Sequence, residues 1–237
     1  MRRVLWILFI LLGVGHEGTA EDLTTISGPS ITTGAGSPAQ GLLRRIPVAV
    51  FAPSDIRDSL VVRICGETEA IWSPTGITFE WHRVRPTDAV PASWLEVTID
   101  ERPHDVQGGR AVLGWIPFTA DGPQPSIHLS RSNAEELLLD TPDFEDKTVS
   151  THEMLLGRAL GRALSHELGH YLLRSKAHAP RGLMRAVRSS VEFFRIRRDG
   201  FELTAEERDA ATLHLLQDTP AEGDSLRRAG RSLAPSW

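Results

Sequence analysis

His166-Glu167-Leu168-Gly169-His170 lies inside a proline-free stretch from Thr151 to Leu173 that reads as one long helix. Two His four residues apart stand about one turn apart on one helical face, with rings roughly 6 Å from each other. At about 100° per residue, Ala159, Ala163, Glu167 and His170 fall within one arc beside His166. The opposite side carries Leu160, Leu164, Leu168, Tyr171 and Leu172, and Gly157 and Gly161 would let another backbone approach closely. Only Arg158, Arg162, Ser165 and Gly169 form a strip suited to solvent. A helix apolar over most of its circumference belongs inside the protein, where two His are costly unless ligated or hydrogen-bonded. Imidazoles able to converge on one cation, beside a carboxylate able to take a proton from water, form the donor set of zinc-assisted hydrolysis.

Catalytic zinc takes three protein ligands and keeps one position open. Downstream stand His178 and, six residues later, Met184 in Arg181-Gly182-Leu183-Met184-Arg185. With these residues the chain resembles the metzincin metalloproteases, and within them matrixin-like bacterial members. The resemblance implies a single Zn²⁺ held by His166, His170 and His178, Glu167 as general base, and Met184 in a turn that floors the metal. It also implies an α+β fold of two subdomains: a mixed, twisted sheet with helices above a cleft, the Met-turn and a last helix below. The segment from Phe201 to Leu216 is similar to the helix that follows the Met-turn in matrixin-like sequences. Read by itself, it is a helix with Thr204 as N-cap, Glu207 completing a capping box, and Leu213 and Leu216 on its apolar face.

The chain also departs from the family. The usual spacing is H-E-x-x-H-x-x-G-x-x-H, where Gly lets the helix break. Here Leu173 stands at the Gly position, Lys176 at the ligand position, and His178 two residues further on. A turn near Arg174-Ser175 would accommodate that shift. Glu192 is the alternative third ligand, on a thermolysin-like plan. His152, about 20 Å along the helix from His166, is out of reach, and His82, His104, His128 and His214 lack ligand spacing. Tyr171 is the only Tyr and points away from His170, so the extra Tyr ligand of some metzincins is not expected. By the same resemblance, substrate would lie along an edge strand, here Val112 to Ile116.

Of the 237 residues, Met1-Arg2-Arg3, the apolar run Val4 to Val14 and Gly18-Thr19-Ala20 read as a signal peptide, residues 1–20. The run is too short to span a bilayer comfortably, so no stable membrane insertion is expected after cleavage. Secretion or a periplasmic location follows. Residues 21–44 form a Thr/Ser/Gly/Pro-rich lead-in, 45–217 the catalytic domain, and 218–237 a polar tail. A net charge of −5 argues against general nucleic-acid affinity. The single Cys, Cys65, excludes an internal disulfide and reads as a core thiol.

Ile46 to Phe51 is a first strand, followed by a helix from Asp55 to Trp72 capped by Ser54. Strands follow at Ile77 to Val84, around Leu95, Val97 and Ile99, at Val112 to Phe118, and at Ile127 to Leu129. Arg181, Arg185, Arg188, Arg195, Arg197 and Arg198 read as a solvated rim, the sharper alternative being that they favour acidic substrate side chains near the cleft. There is no G-x-S-x-G elbow, phosphate-binding Gly loop or C-x-x-C. The expectation is an exported zinc-dependent endopeptidase acting on protein or peptide substrates. The alternative is a catalytically inert zinc-binding module, built on the same scaffold, that binds a partner protein.

Overall fold

The computed structural model describes residues 6–8, 44–101, 111–141 and 148–217. The lead-in up to residue 43, the tail 218–237 and His104 lie outside them. Of the expected signal peptide only β1 (Trp6–Leu8) is described, paired antiparallel with residues 187–189. No helix among the described residues is long and apolar enough to cross a membrane.

β2 (Arg44–Phe51) buries Val48, Ala49 and Val50 in succession, as a strand covered on both faces does. It sits between β3 (Ile77–Val84) and β4 (Leu95–Asp100), parallel to both. Parallel neighbours need a crossover, and α1 (Asp58–Trp72) supplies the one from β2 to β3. β5 (Gly114–Trp115) leads through a small hairpin, β6 (Phe118–Thr119) and β7 (Gly122–Pro123), into β8 (Ser126–Ser130). The five-stranded sheet runs β3-β2-β4-β8-β5, and only β5, at its edge, is antiparallel. In register, Val50 faces Val97 and Val97 faces Ile127, which lays one apolar row across the sheet.

Two expectations change here. α1 starts three residues after Asp55, and its N-cap is Arg57 without a side-chain cap, because residues 54–56 form a turn. Ser54 caps nothing. The expected strand from Val112 to Phe118 is broken into β5 and β6, since only Gly114 and Trp115 pair with β8.

After β8 come α2 (Arg131–Leu139), α3 (Val149–Leu173), β9 (Val187–Ser189), α4 (Ser190–Phe194) and α5 (Ala205–Gln217). Thr148 caps α3 by accepting from the Thr151 N–H at 3.3 Å. α3 packs along α1 and against β5 and β8. A Cβ on Gly157 would sit 2.5 Å from the Arg63 Cβ, and one on Gly161 would sit 2.7 Å from both the Glu67 Cβ and the Ile64 carbonyl oxygen. The two glycines therefore set how closely the helices approach.

The strip read as solvent-facing is instead interior: Arg162, Ser165 and Gly169 are buried. Arg162 Nε donates to Glu67 at 2.9 Å, its other nitrogens donate to the Glu192, Phe193 and Arg197 carbonyls, and its guanidinium lies 4.6 Å over the Phe201 ring. The segment after α3 thus closes over that strip, and Arg162 is satisfied on every side by protein groups. α5 also differs. The capping box forms, with the Glu207 N–H donating to Thr204 Oγ1 at 3.2 Å and the Thr204 N–H to Glu207 at 2.8 Å. Leu213 and Leu216 are exposed, however, and Ala211 and Leu215 face the core. The helix docks by the side that carries Ala211 and Leu215, which lies about 150° from the side that carries Leu213 and Leu216.

Two glycine substitutions test the α1–α3 contact. Gly161→Ala is expected to cost about 1–3 kcal/mol by overpacking. Gly66→Ala, on α1 with nothing within 4 Å of a new Cβ, is expected to stabilise by about 0.5–1 kcal/mol. Urea unfolding of both variants checks the pair of opposite signs.

Candidate metal centre

α3 reverses one residue after Leu173. Arg174 takes a left-handed conformation, φ 51°, at a cost that Gly would not incur. The reversal lets the Ser175 N–H donate to the His170 carbonyl at 3.2 Å, while the Ser175 carbonyl accepts from His170 Nδ1 at 2.7 Å. The chain leaves this turn heading back across the helix, and His178 arrives beside the pair.

A second turn holds the pair from the other side. The Ala179 N–H donates to the Met184 carbonyl at 2.9 Å and closes the loop 179–185. Gly182, φ 74°, lies so near the Glu202 carbonyl that a Cβ would sit 2.8 Å from it. The Leu183 N–H donates to that same carbonyl at 2.7 Å. The Leu183 carbonyl in turn accepts from His166 Nδ1 at 2.8 Å. Met184 is buried, with its sulfur 2.2 Å from where a Cβ on Gly169 would be. Gly169 is therefore the seat of Met184, not a solvent-facing residue.

Each carbonyl can only accept, so His166 and His170 both hold their proton on Nδ1 and present Nε2 as a lone pair. The two Nε2 atoms are 3.0 Å apart. The His178 ring centroid is 5.3 Å from that of His166 and 4.9 Å from that of His170. One nitrogen from each of the three lies within 4.8 Å of the others. Ligands on a tetrahedral zinc stand roughly 3.3 Å apart, given bonds of ~2.0 Å. His178 is the exposed member and the one able to turn into place. Burial pushes His166 well below the usual imidazole range, His170 down to about 4, and lowers His178 also. All three are neutral at pH 7, the form that binds a cation. The donor set fits zinc: three neutral imidazoles, two oriented by carbonyls, converging where lone pairs otherwise repel.

Glu167 is almost fully buried, and neither carboxylate oxygen has a hydrogen-bond partner. Burial alone drives its pKa well above the usual carboxylate range. A buried carboxyl without a donor is rare and needs a ligand or water to complete it. It packs against Gly114 on β5, where a Cβ would come within 3.1 Å of Glu167 Cγ.

Glu192 is engaged elsewhere. It accepts from the Ser189 N–H at 2.8 Å as the capping-box residue of α4, and it pairs with Arg185. It is absent from the cluster of possible ligands that the described residues form. His82 stacks on Trp94, His128 stacks on Trp115, and His214 Nδ1 is 3.1 Å from the Leu172 carbonyl oxygen. His152 lies near the start of α3, far along the helix from His166.

The basic stretch is not one rim. Arg181, Arg195, Arg197 and Arg198 are exposed, Arg185 is half-buried against Glu192, and Arg188 is fully buried. Arg188 belongs to the site's support because its Nη2 donates to the Gly182 and Leu183 carbonyls. Sequence reasoning missed Gly114 and Arg188. No local signal marks Arg188, but Gly114, a glycine within an expected edge strand, signals close approach.

No protein-family model matches the chain, and no curated protein matches it. Among solved structures it is similar to the crystal structure of archaemetzincin from Methanopyrus kandleri. That likeness has a TM-score of 0.49 and 14% identity, and covers 73% of this chain and 96% of the other.

Zinc titration of the purified chain with a competing chelator is expected to saturate at one ion. His178→Ala is expected to weaken affinity by orders of magnitude, because two imidazoles hold zinc far less well than three. Glu192→Ala is expected to leave affinity nearly unchanged. The opposite pattern assigns the third ligand to Glu192.

Proposed function

We propose that the protein is an exported zinc metallopeptidase, cleaving peptide bonds with Glu167 as general base. The observation that supports this reading best is the unpartnered, buried Glu167 carboxylate on the same helical turn as two of three imidazoles whose nitrogens converge. His166, His170 and His178 would hold the zinc. When bound, it supplies Lewis acidity that makes water nucleophilic near neutral pH and polarises a carbonyl.

The chain's own residues supply the rest. Glu167 would take a proton from the attacking water, the part a carboxylate plays as general base at such a site. The same carboxyl, now protonated, gives that proton to the amine as the peptide bond breaks. Leu183 and Ser175 keep the two helix imidazoles in one tautomer throughout.

Substrate binding follows from the sheet edge. β5 pairs with β8 on one side and has no strand on the other among the described residues. An extended peptide laid along that edge adds by main-chain hydrogen bonds, and Gly114 places Glu167 alongside it. Phe118 meets the His170 ring edge-on at 6.5 Å and puts an apolar side chain next to that imidazole. Export rests on the N-terminal sequence alone.

Glu167→Gln keeps shape and zinc but removes the base. Hydrolysis of casein or a broad peptide library is expected to fall at least ~10²-fold. Gly114→Ala is expected to keep zinc as well, while pressing Glu167 aside by tenths of an ångström and slowing turnover about tenfold. A wild type that binds zinc, cleaves nothing, and holds a partner equally well with Gln at 167 is an inert binding module instead.

A further inference from the structure

We infer that Arg188 is an electrostatic positioning residue for the metal centre. Acting through the Leu183 carbonyl, it keeps the cation held by His166, His170 and His178 weakly bound and electron-poor. The inference rests on the zinc reading above.

Arg188 is fully buried, yet it forms no salt bridge among the described residues. Its guanidinium lies 3.9 Å over the Phe201 ring, and Nη2 donates to the Gly182 carbonyl and, at 3.1 Å, to the Leu183 carbonyl. Nε and Nη1 have no partner. Burial brings its pKa down to about 9, which leaves it cationic at neutral pH. Glu192 and Glu202 attract it at longer range, while Arg185 and Arg162 repel it. Glu192 is already committed to Arg185 and Ser189, and Glu202 to the Gly200 N–H. Much of the positive charge on Arg188 is therefore uncompensated where it lies.

The Leu183 oxygen that Arg188 grips is the one that accepts from His166 Nδ1. A fixed cation thus stands two hydrogen bonds away from a metal-binding imidazole. Metal sites commonly let the ring's other N–H donate to a carboxylate, which pushes electron density onto the ring and strengthens the metal–nitrogen bond; here the acceptor is a carbonyl held by a cation. Arg188 reverses that sign. It draws density away from the carbonyl and hence from His166, and its field repels a dication directly. At an effective interior dielectric of ~20, such a charge weakens zinc binding by about tenfold or more. The gain is a more electrophilic ion.

A residue kept only for packing makes the opposite forecast. Replacing a buried, unpaired ion by an apolar side chain of similar volume is often neutral or stabilising for the fold. A loosened Leu183 turn would misplace His166 and weaken zinc binding.

Chelator-competition titrations of the full chain with zinc separate these forecasts, alongside Co²⁺ absorption spectra that report the ligand set. Arg188→Met is expected to bind zinc about tenfold or more tightly with an unchanged Co²⁺ spectrum. Arg188→Lys, which keeps the charge, is expected to stay within about threefold of wild type. Arg188→Gln provides a second neutral variant, expected to follow Met. Neutral variants that bind zinc no better than wild type, or bind it with an altered spectrum, overturn the assignment. So does failure of both to fold, which makes Arg188 a structural residue. Wild type that takes up no zinc removes the metal reading itself, a result distinct from either.

Discussion

The Nε2 lone pairs of His166 and His170 face each other across 3.0 Å in the protein interior, and the surrounding site depends on that arrangement. Two neutral imidazoles with their protons turned outward repel at that separation unless a cation lies between them. Turning either ring over would relieve the repulsion but would leave the Leu183 or Ser175 carbonyl without its donor. The structure keeps those outer hydrogen bonds, so the inward lone pairs are imposed by the backbone around them. Two loops are built to impose them: the left-handed reversal at Arg174, and the Gly182–Met184 turn anchored on Glu202.

Close backbone approach makes room for this arrangement. Gly157 and Gly161 let α3 sit tightly on α1, Gly169 admits the Met184 sulfur, and Gly114 leaves space for the Glu167 side chain. Each contact places one side of the metal helix against a different element, and the helix is consequently buried almost all round. The buried Arg162–Glu67 pair joins α1 to α3, and the carbonyls that Arg162 also reaches tie in the segment after the site. Desolvation holds the imidazoles neutral and raises the pKa of Glu167.

Much of this was legible in the sequence where the signal is periodic or local. The H-E-x-x-H spacing and the unbroken apolar helix identified the pair, and alternation identified β3 and β4. The capping box at Thr204 and the turn at Arg174-Ser175 also follow from local chemistry. What escaped depends on partners distant in the chain. Arg162 and Arg188 look like solvent-facing residues until Glu67 or the Leu183 carbonyl is brought to them. On α5, the sequence offers Leu213 and Leu216 as an apolar face, but the docking surface accepts Ala211 and Leu215. Convergence of His178 on the pair could be expected from the family resemblance, but the carbonyls that orient the rings could not.

The central claim is that three imidazoles and no other side chain hold one zinc, with a coordination position open beside Glu167. X-ray absorption at the zinc edge of the purified, zinc-loaded chain tests it most directly. The account predicts a four-coordinate ion with three imidazole rings at ~2.0 Å and one further light atom from solvent. A sulfur neighbour, a carboxylate replacing one imidazole, or a fourth protein ligand closing the site would contradict it.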